Sequence, residues 1–372
     1  MSETIRTVRP DESEQFERFL ERCYGHRRGS FSRDWPVLHE LSEDLAACCL
    51  VVESGGRIVS HVGAFPLEVV VGPARVMTGG VGGVGTLPGE RGKGYMSRLL
   101  EASIVRMRER GWALSALWGD QQRYGTFGWE MCGMVYTLVL NRRSVERYGV
   151  RPAEVREVDP SDPEVVERVR ELHATLPFRV ERPLLEAQLG RGRVFLGPDG
   201  YLVSGNEWAG NLDVLEVASP PGREPELILG AMDWTFGGSA EVRLGPDEGD
   251  RQERLARVMN HWRLSPQGML RIIDWPRLVR SLGPILAQRA AGLPPFATSI
   301  GCRWRESVEW VTVEWDGAEL SVEPAKRGEG TEVELPRLTA LLFGGPQAPA
   351  SRLGMFGRLL PVPLHIPPLD HV

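Results

Sequence analysis

The stretch GGVGGVGTLPGERGKGYMSRLL, residues 79–100, constrains what this chain can fold into more than any other. Five glycines (Gly79, Gly80, Gly82, Gly83 and Gly85) fall within seven residues of a segment that otherwise reads as a strand. Glycine in a strand interior costs conformational entropy and contributes no packing, so it marks a bulge or a close approach by a ligand or another backbone. Directly afterwards a short basic turn, Glu90-Arg91-Gly92-Lys93-Gly94, leads into a predicted helix over residues 94–110. Met96, Leu99, Leu100, Ile104 and Met107 share one face of that helix, and Gly111 stands where a C-terminal cap belongs. The segment predicts a strand with something lying against it, then a helix with an open N-terminus.

Two nucleotide motifs compete for these residues and both fail on register. Gly80, Gly82 and Gly85 satisfy GxGxxG, but the glycines of a dinucleotide fingerprint belong in the turn between strand and helix, and here they lie inside the strand. A P-loop needs glycine where Leu87 stands and serine or threonine where Gly94 stands. A third reading fits. The unpaired amides at a helix N-terminus, with the positive end of the helix dipole, form an anion site. Residues 91–94 would curl those amides around a pyrophosphate, while the glycine-rich strand offers its backbone to an extended, amide-containing arm. A ligand with both parts is coenzyme A.

The 372 residues exceed the usual single-domain size, which predicts two or three domains. Before the glycine-rich segment come a strand (TIRTVRP), a capped amphipathic helix (DESEQFERFLERCYG) and a meander of three strands (ACCLVVE, RIVSHVGAFPLEVVV, RVMTGGVGGVG). A strand ALSALWG follows the helix, then a helical turn, a loop and another strand in DQQRYGTFGWEMCGMVYTLVL. This is an α/β (α+β) unit occupying residues 1–150. A proline- and acid-rich stretch then leads to a second unit over 151–265 with a similar order of elements but no glycine-rich strand and basic turn, so it reads as an inactive copy. The remainder, 266–372, has helices flanking the strands of SVEWVTVEWDGAELSVEP, with a tight turn at Asp316-Gly317. Its tail, RLLPVPLHIPPLDHV, is too rich in proline for regular structure yet apolar enough to pack.

A net charge of -6 argues against a nucleic-acid partner, and no apolar run reaches the roughly 20 residues of a membrane span. Five cysteines without CxxC spacing, and no signal-peptide pattern at the start, predict a cytoplasmic protein. His26, His39, His61, His173 and His261 show no paired metal spacing, so no metal is expected.

Arg91-Gly92-Lys93-Gly94-Tyr95-Met96 resembles motif A of the GNAT acetyltransferases, R/Q-x-x-G-x-G/A, with Met96 departing from the small final residue. That bulky residue, the downstream YGTFGWE, the second GNAT-like unit and MLRIIDWPRLV near the C-terminal part together resemble the enhanced-intracellular-survival (Eis-like) acetyltransferases. The resemblance implies two tandem GNAT-like domains, the second degenerate, and a sterol-carrier-like last domain. It implies acetyl-CoA as co-substrate, with the backbone of Val84, Gly85 and Thr86 pairing with its pantetheine arm and Arg91, Gly92, Lys93, Gly94 and Tyr95 holding its pyrophosphate. It also implies a homo-oligomer, hexameric in some members, and an amine acceptor such as an aminoglycoside, another polyamine or a lysine side chain.

The family's general acid is a tyrosine in Y-G-x-F-G, here Tyr124. A phenol with a pKa near 10 suits protonation of a thiolate whose conjugate acid lies near 8.5. The family's general base is the terminal carboxylate, here Val372, with His371 and Asp370 as rivals. No cysteine is placed for an acyl intermediate, so transfer is direct. Trp35, Trp118 and Asp120 are candidates for the acceptor pocket, against a plain role in packing or helix capping, and Gly83 leaves that pocket roomy. The alternative is a non-catalytic acyl-CoA or lipid-binding protein on the same scaffold.

Overall fold

A meander of four antiparallel strands opens the chain: β1 (Glu3–Thr7), β2 (Cys49–Ser54), β3 (Arg57–Val71) and β4 (Ala74–Thr86). The computed structural model describes residues 3–27, 42–183, 185–205, 210–220, 222–325, 330–346 and 350–372. These described residues divide into a first unit falling within 1–133, 266–362 and 372, and a second falling within 134–265 and 363–371.

In the first unit, β4 is followed by the helix Tyr95–Glu109, which returns the chain to β5 (Leu114–Leu117) parallel to β4. A parallel neighbour requires such a crossover. β6 (Glu130–Cys132) closes the sheet, but between β5 and β6 lies β15 (Gly268–Ile272), antiparallel to both. The two faces carry separate cores. Leu99, Leu100 and Met107 of the crossover helix pack on one with Val52, Val62 and Trp129, and Phe16, Phe19 and Leu20 of the helix Ser13–Tyr24 pack on the other with Val51 and Phe65. Full burial of each such side chain stabilises by roughly 1.5–3 kcal/mol.

The last third of the sequence adds the helix Trp275–Ala290 and a four-stranded sheet in the order β18-β17-β16-β19. Its strands are β16 (Phe296–Trp304), β17 (Ser307–Trp315), β18 (Leu320–Ala325) and β19 (Thr331–Glu334). The Asp316-Gly317 turn forms as expected, the Asp316 carboxylate accepting from the Ala318 and Glu319 amides at 2.7 Å.

The second unit repeats the topology of the first sheet. Its strands β7 (Val135–Asn141), β8 (Arg156–Val158), β10 (Arg193–Leu196), β11 (Tyr201–Ser204), β12 (Asn211–Ala218), β13 (Ser239–Leu244) and β14 (His261–Ser265) lie in the order β14-β7-β13-β12-β11-β10-β8, while β9 (Phe178–Glu181) stands outside that path. Four antiparallel strands lead through the helix Glu224–Trp234 to a parallel fifth, as in the first unit. The sequence reading grouped β7 with the first α/β unit, but β7 pairs with β13 and β14. Residues 268–272 form β15, a strand ahead of the helix Trp275–Ala290. Each of these strands fills the slot between the fifth strand and the closing strand of its sheet. Local strand character is the same in either sheet, so only the non-local pairing decides membership. The tail packs as its composition predicts: Leu364, His365, Ile366, Leu369 and Asp370 are buried within the second unit.

Candidate active site

β4 pairs with β5 only over residues 78–80, so beyond Gly80 its edge on that side runs without a strand partner in β5. Its pairing with β3 slips between His61 and Gly63, where Gly83 takes a positive φ of 63°. A bulge of this kind, in which residues 83 and 84 of β4 stand opposite Val62 alone, adds one residue to β4 and re-aims the strand. The buried His61 imidazole, one nitrogen 2.7 Å from the Gly83 carbonyl oxygen, props the bulge from beneath. Nδ1 therefore carries the proton and donates, and Nε2 has no partner among the described residues. Burial outweighs this bond to the Gly83 backbone and pushes the His61 pKa down to about 4.

The turn into the helix needs its glycine. Gly94 is the N-cap with φ 74°, and a Cβ there would meet nothing within 4 Å, so backbone conformation rather than space selects glycine. The first intrahelical bond runs from Arg98 N–H to Gly94 O, which leaves the preceding amides without intrahelical partners.

All eight residues expected to hold the cofactor, Val84, Gly85, Thr86, Arg91, Gly92, Lys93, Gly94 and Tyr95, line one cavity of about 500 Å³. Arg91, Lys93 and Arg123 face it against the single carboxylate of Glu90, a local excess of positive charge on an acidic protein. Lys93 pairs with Glu90 at 2.7 Å, and the Tyr95 hydroxyl donates to Glu3 at 2.5 Å, which leaves the Tyr95 backbone as its contribution to the cavity.

Cys23, Tyr24 and Arg123 also line this cavity and were not expected from the sequence. Tyr24 reaches it from the end of the first helix and donates to the Val84 carbonyl oxygen at 2.9 Å. Burial pushes the Cys23 thiol up to about 11, so at neutral pH it is a thiol and a poor nucleophile. No local pattern marks Cys23 and Tyr24, whose positions follow from the packing of a helix sixty residues before Val84, while Arg123 stands next to Tyr124 in the chain.

The glycines at 80 and 82 make room for Val372. A Cβ at Gly82 would lie 2.6 Å from the carboxyl carbon of Val372, and one at Gly80 would lie 2.7 Å from Val372 Cγ2. Val372 packs beside Phe16, Phe19, Leu20 and Phe65. Its two rivals are engaged in the second unit. The Asp370 carboxylate accepts from Arg182 at 2.7 and 2.6 Å and from Gln188 at 3.2 Å. His371 is half-buried, and its desolvation pushes its pKa down to about 3 against a bond to the Ile366 backbone.

Tyr124 ends the short helix Gln121–Tyr124, is 7% exposed, and lies so close to Gly119 that a Cβ there would meet its ring at 2.5 Å. Burial raises its pKa while Arg123 pulls the other way, so the phenol keeps its proton at neutral pH. Asp120 caps that helix, its carboxylate accepting from the Gln122 and Arg123 amides at 2.7 and 3.1 Å. Trp118 donates its indole N–H to Gln267 O at 2.9 Å. Neither is among the residues lining the cavity, and Trp35 lies outside the described residues. No helix of the described residues is long and apolar enough to cross a membrane.

Residues 4–132 match the family model of an acetyltransferase (GNAT) domain. No curated protein sequence matches the chain. Among solved structures, a GCN5-related N-acetyltransferase from Kribbella flavida has the same fold over 100% of both chains, with a TM-score of 0.74 at 20% identity. One from Anabaena variabilis also covers 100% of both, with a TM-score of 0.73 at 14% identity. Eis1 from Mycobacterium abscessus matches 95% of this chain and 92% of its own, with a TM-score of 0.65 at 16% identity. Through residues 4–132 the chain carries an acetyltransferase domain of the GNAT type.

Proposed function

We propose that the protein moves the acetyl group of acetyl-CoA directly onto a primary amine. The observation that carries this reading is the place of Val372, packed on Gly80 and Gly82 of the strand whose continuation lines the cationic cavity. The pantetheine arm pairs with the backbone at Val84, Gly85 and Thr86, and the pyrophosphate rests on the amides at 91–95 beside Arg91 and Lys93. The amine nitrogen attacks the thioester carbon, and the new C–N bond forms as C–S breaks. The Val372 carboxylate takes the proton from nitrogen, and Tyr124 donates its proton to the departing thiolate. A carboxylate with a pKa of roughly 3.5 becomes an adequate base when desolvated against an ammonium ion. The apolar neighbours of Val372 and the engagement of Asp370 and His371 elsewhere support that assignment.

Aminoglycosides, polyamines and lysine side chains are the acceptor classes to test, with Trp118 and Asp120 as candidates for the acceptor side. The likeness to Eis1 over 95% of this chain supports reading two tandem GNAT-like domains, with β15 counted in the first and β7 in the second, and a sterol-carrier-like domain in the remainder of 266–372, in a cytoplasmic homo-oligomer. The start of the helix Glu224–Trp234 supports a degenerate second copy, because the Glu224 carboxylate, 1% exposed, itself accepts from the Gly222 amide there.

The test is amine-dependent thiol release from acetyl-CoA across those acceptors, with coenzyme A binding followed by calorimetry. Tyr124→Phe and deletion of Val372 should each lower turnover by about 10²-fold or more, as loss of a general acid or base does, with coenzyme A affinity within twofold of the parent. Coenzyme A binding without turnover on any amine would favour the non-catalytic alternative. Full activity after deletion would remove Val372 from the mechanism.

A further inference from the structure

A second cavity of about 280 Å³ lies in the first unit between the helix Tyr95–Glu109, β15 and the β16–β17 hairpin, and it shares no lining residue with the first. Its wall is built on Arg271, the fourth of the five residues of β15 and only 4% exposed. Arg271 Nε donates to Phe127 O and Nη1 to Ile272 O, each at 2.7 Å. The guanidinium carbon lies 5.7 Å from the Trp129 ring and 5.3 Å from the Trp304 ring. A guanidinium has five N–H donors, and Nη2 has no partner among the described residues. No carboxylate lies within ion-pair distance of it there, although a buried charge ordinarily requires one.

The other charges around the cavity cancel. Arg108 pairs with Glu309 and Arg305 with Glu101, which leaves Arg271 as one uncompensated positive charge. Apart from Ser307 and Cys302 the remaining wall is apolar, with Ile104, Phe127 and Trp304 lining it and Val105, 56% exposed, at the surface. Burial pushes the Cys302 thiol up to about 12, so it adds no charge to the wall.

We propose that this cavity binds a small monoanionic carboxylate with a compact apolar body, its carboxylate held by Arg271 and its body against Trp304, Phe127 and Ile104. One net positive charge matches a monoanion, and the flanking Glu101 and Glu309 disfavour a phosphate dianion. The volume lies just below the range of about 300–1,000 Å³ usual for small-molecule sites, so the body is no larger than a single ring or a short alkyl chain.

Titration of the full-length protein with phenylacetate and hexanoate, followed by calorimetry and tryptophan fluorescence, tests the site. The neutral controls are 2-phenylethanol and 1-hexanol, and inorganic phosphate is the anion without a body. At least one carboxylate should bind saturably, at least tenfold more tightly than its alcohol and than phosphate. Arg271→Met should abolish that preference without changing coenzyme A affinity. Should that variant fail to fold, Val105→Glu, at an exposed position, places a like charge beside the site and should weaken the carboxylate at least tenfold. Equal affinity for alcohol and carboxylate, phosphate binding as tightly as either acid, no saturable binding, or an unchanged affinity in the folded variants would each overturn the proposal.

Discussion

A methyl group added at residue 82 would have to share space with the carboxyl carbon of Val372, 2.6 Å away, where van der Waals contact needs at least about an ångström more. Either the strand or the terminus must move, and a single terminal residue moves more readily. Gly82→Ala is expected to bind coenzyme A as the parent does while its turnover falls by about 10²-fold, the usual cost of misplacing a reacting group by an ångström. Steady-state kinetics beside calorimetry reads both, and unchanged turnover would remove the terminus from the chemistry. His61 makes a different demand. Its folded pKa of about 4 lies below the unfolded value near 6.5, so between those values the unfolded chain binds a proton that the folded one refuses. Its contribution to stability is full above pH 6.5 and declines as the pH falls toward 4, with about 2 kcal/mol gone by pH 5. His61→Gln, an amide able to donate to Gly83 O, should lose less stability than the parent between pH 7.5 and 5 in urea titrations. Parallel curves would mean that His61 does not titrate against folding.

Tyr124 ends a helix of four residues, and the cap of that helix holds it in place. Asp120 satisfies two amides of a helix only one turn long, so Asp120→Ala should cost about 1 kcal/mol and let Tyr124 wander. Turnover should fall while coenzyme A affinity holds; Asp120→Asn, which can still cap, should restore most of the rate. If Asn fails where capping is intact, the carboxylate acts on the acceptor instead. The cap, the glycine-rich strand, the basic turn and the crossover helix were all legible, because each is a local arrangement in which residue type and spacing answer to backbone geometry. The partner of β15 was not. Met269, Leu270, Arg271 and Ile272 form a continuous buried run, as a strand covered on both faces does, and such a run is silent about its neighbours. The same limit hid Cys23 and Tyr24 from the reading of the site: they reach the cavity because a distant helix packs over β3 and β4, and nothing in their own sequence context says so. Val372 was placed by resemblance alone; its packing on Gly80 and Gly82 answers what lies against the glycines.

Each of the two units has its own cores, and in the second a buried charge cluster stands among the apolar ones. Arg182 is buried and donates in two-pronged fashion to Glu216, at 2.7 and 2.6 Å, and to Asp370, at 2.7 and 2.6 Å, while the Tyr201 hydroxyl also donates to Glu216. Burial alone would raise Glu216, but Arg182 and His173 outweigh it and hold that carboxylate well below its usual range. Breaking a buried pair by removing one partner costs about 3–5 kcal/mol, since the charge left behind has no water to turn to. Arg182→Met leaves two such carboxylates, Glu216 and Asp370, so a loss at the upper end of that range is expected in the unfolding of the second unit. Without the guanidinium, burial raises both carboxylates above their unfolded values, and groups raised in this way cost stability as the pH rises and not as it falls. The deficit of Arg182→Met relative to the parent should therefore be largest at neutral pH and shrink toward pH 5. Adding Glu216→Gln and Asp370→Asn should recover most of it by removing the charges themselves. A deficit independent of pH, or one that the triple variant keeps, would mean that Arg182 stabilises the unit by filling space rather than by its charge.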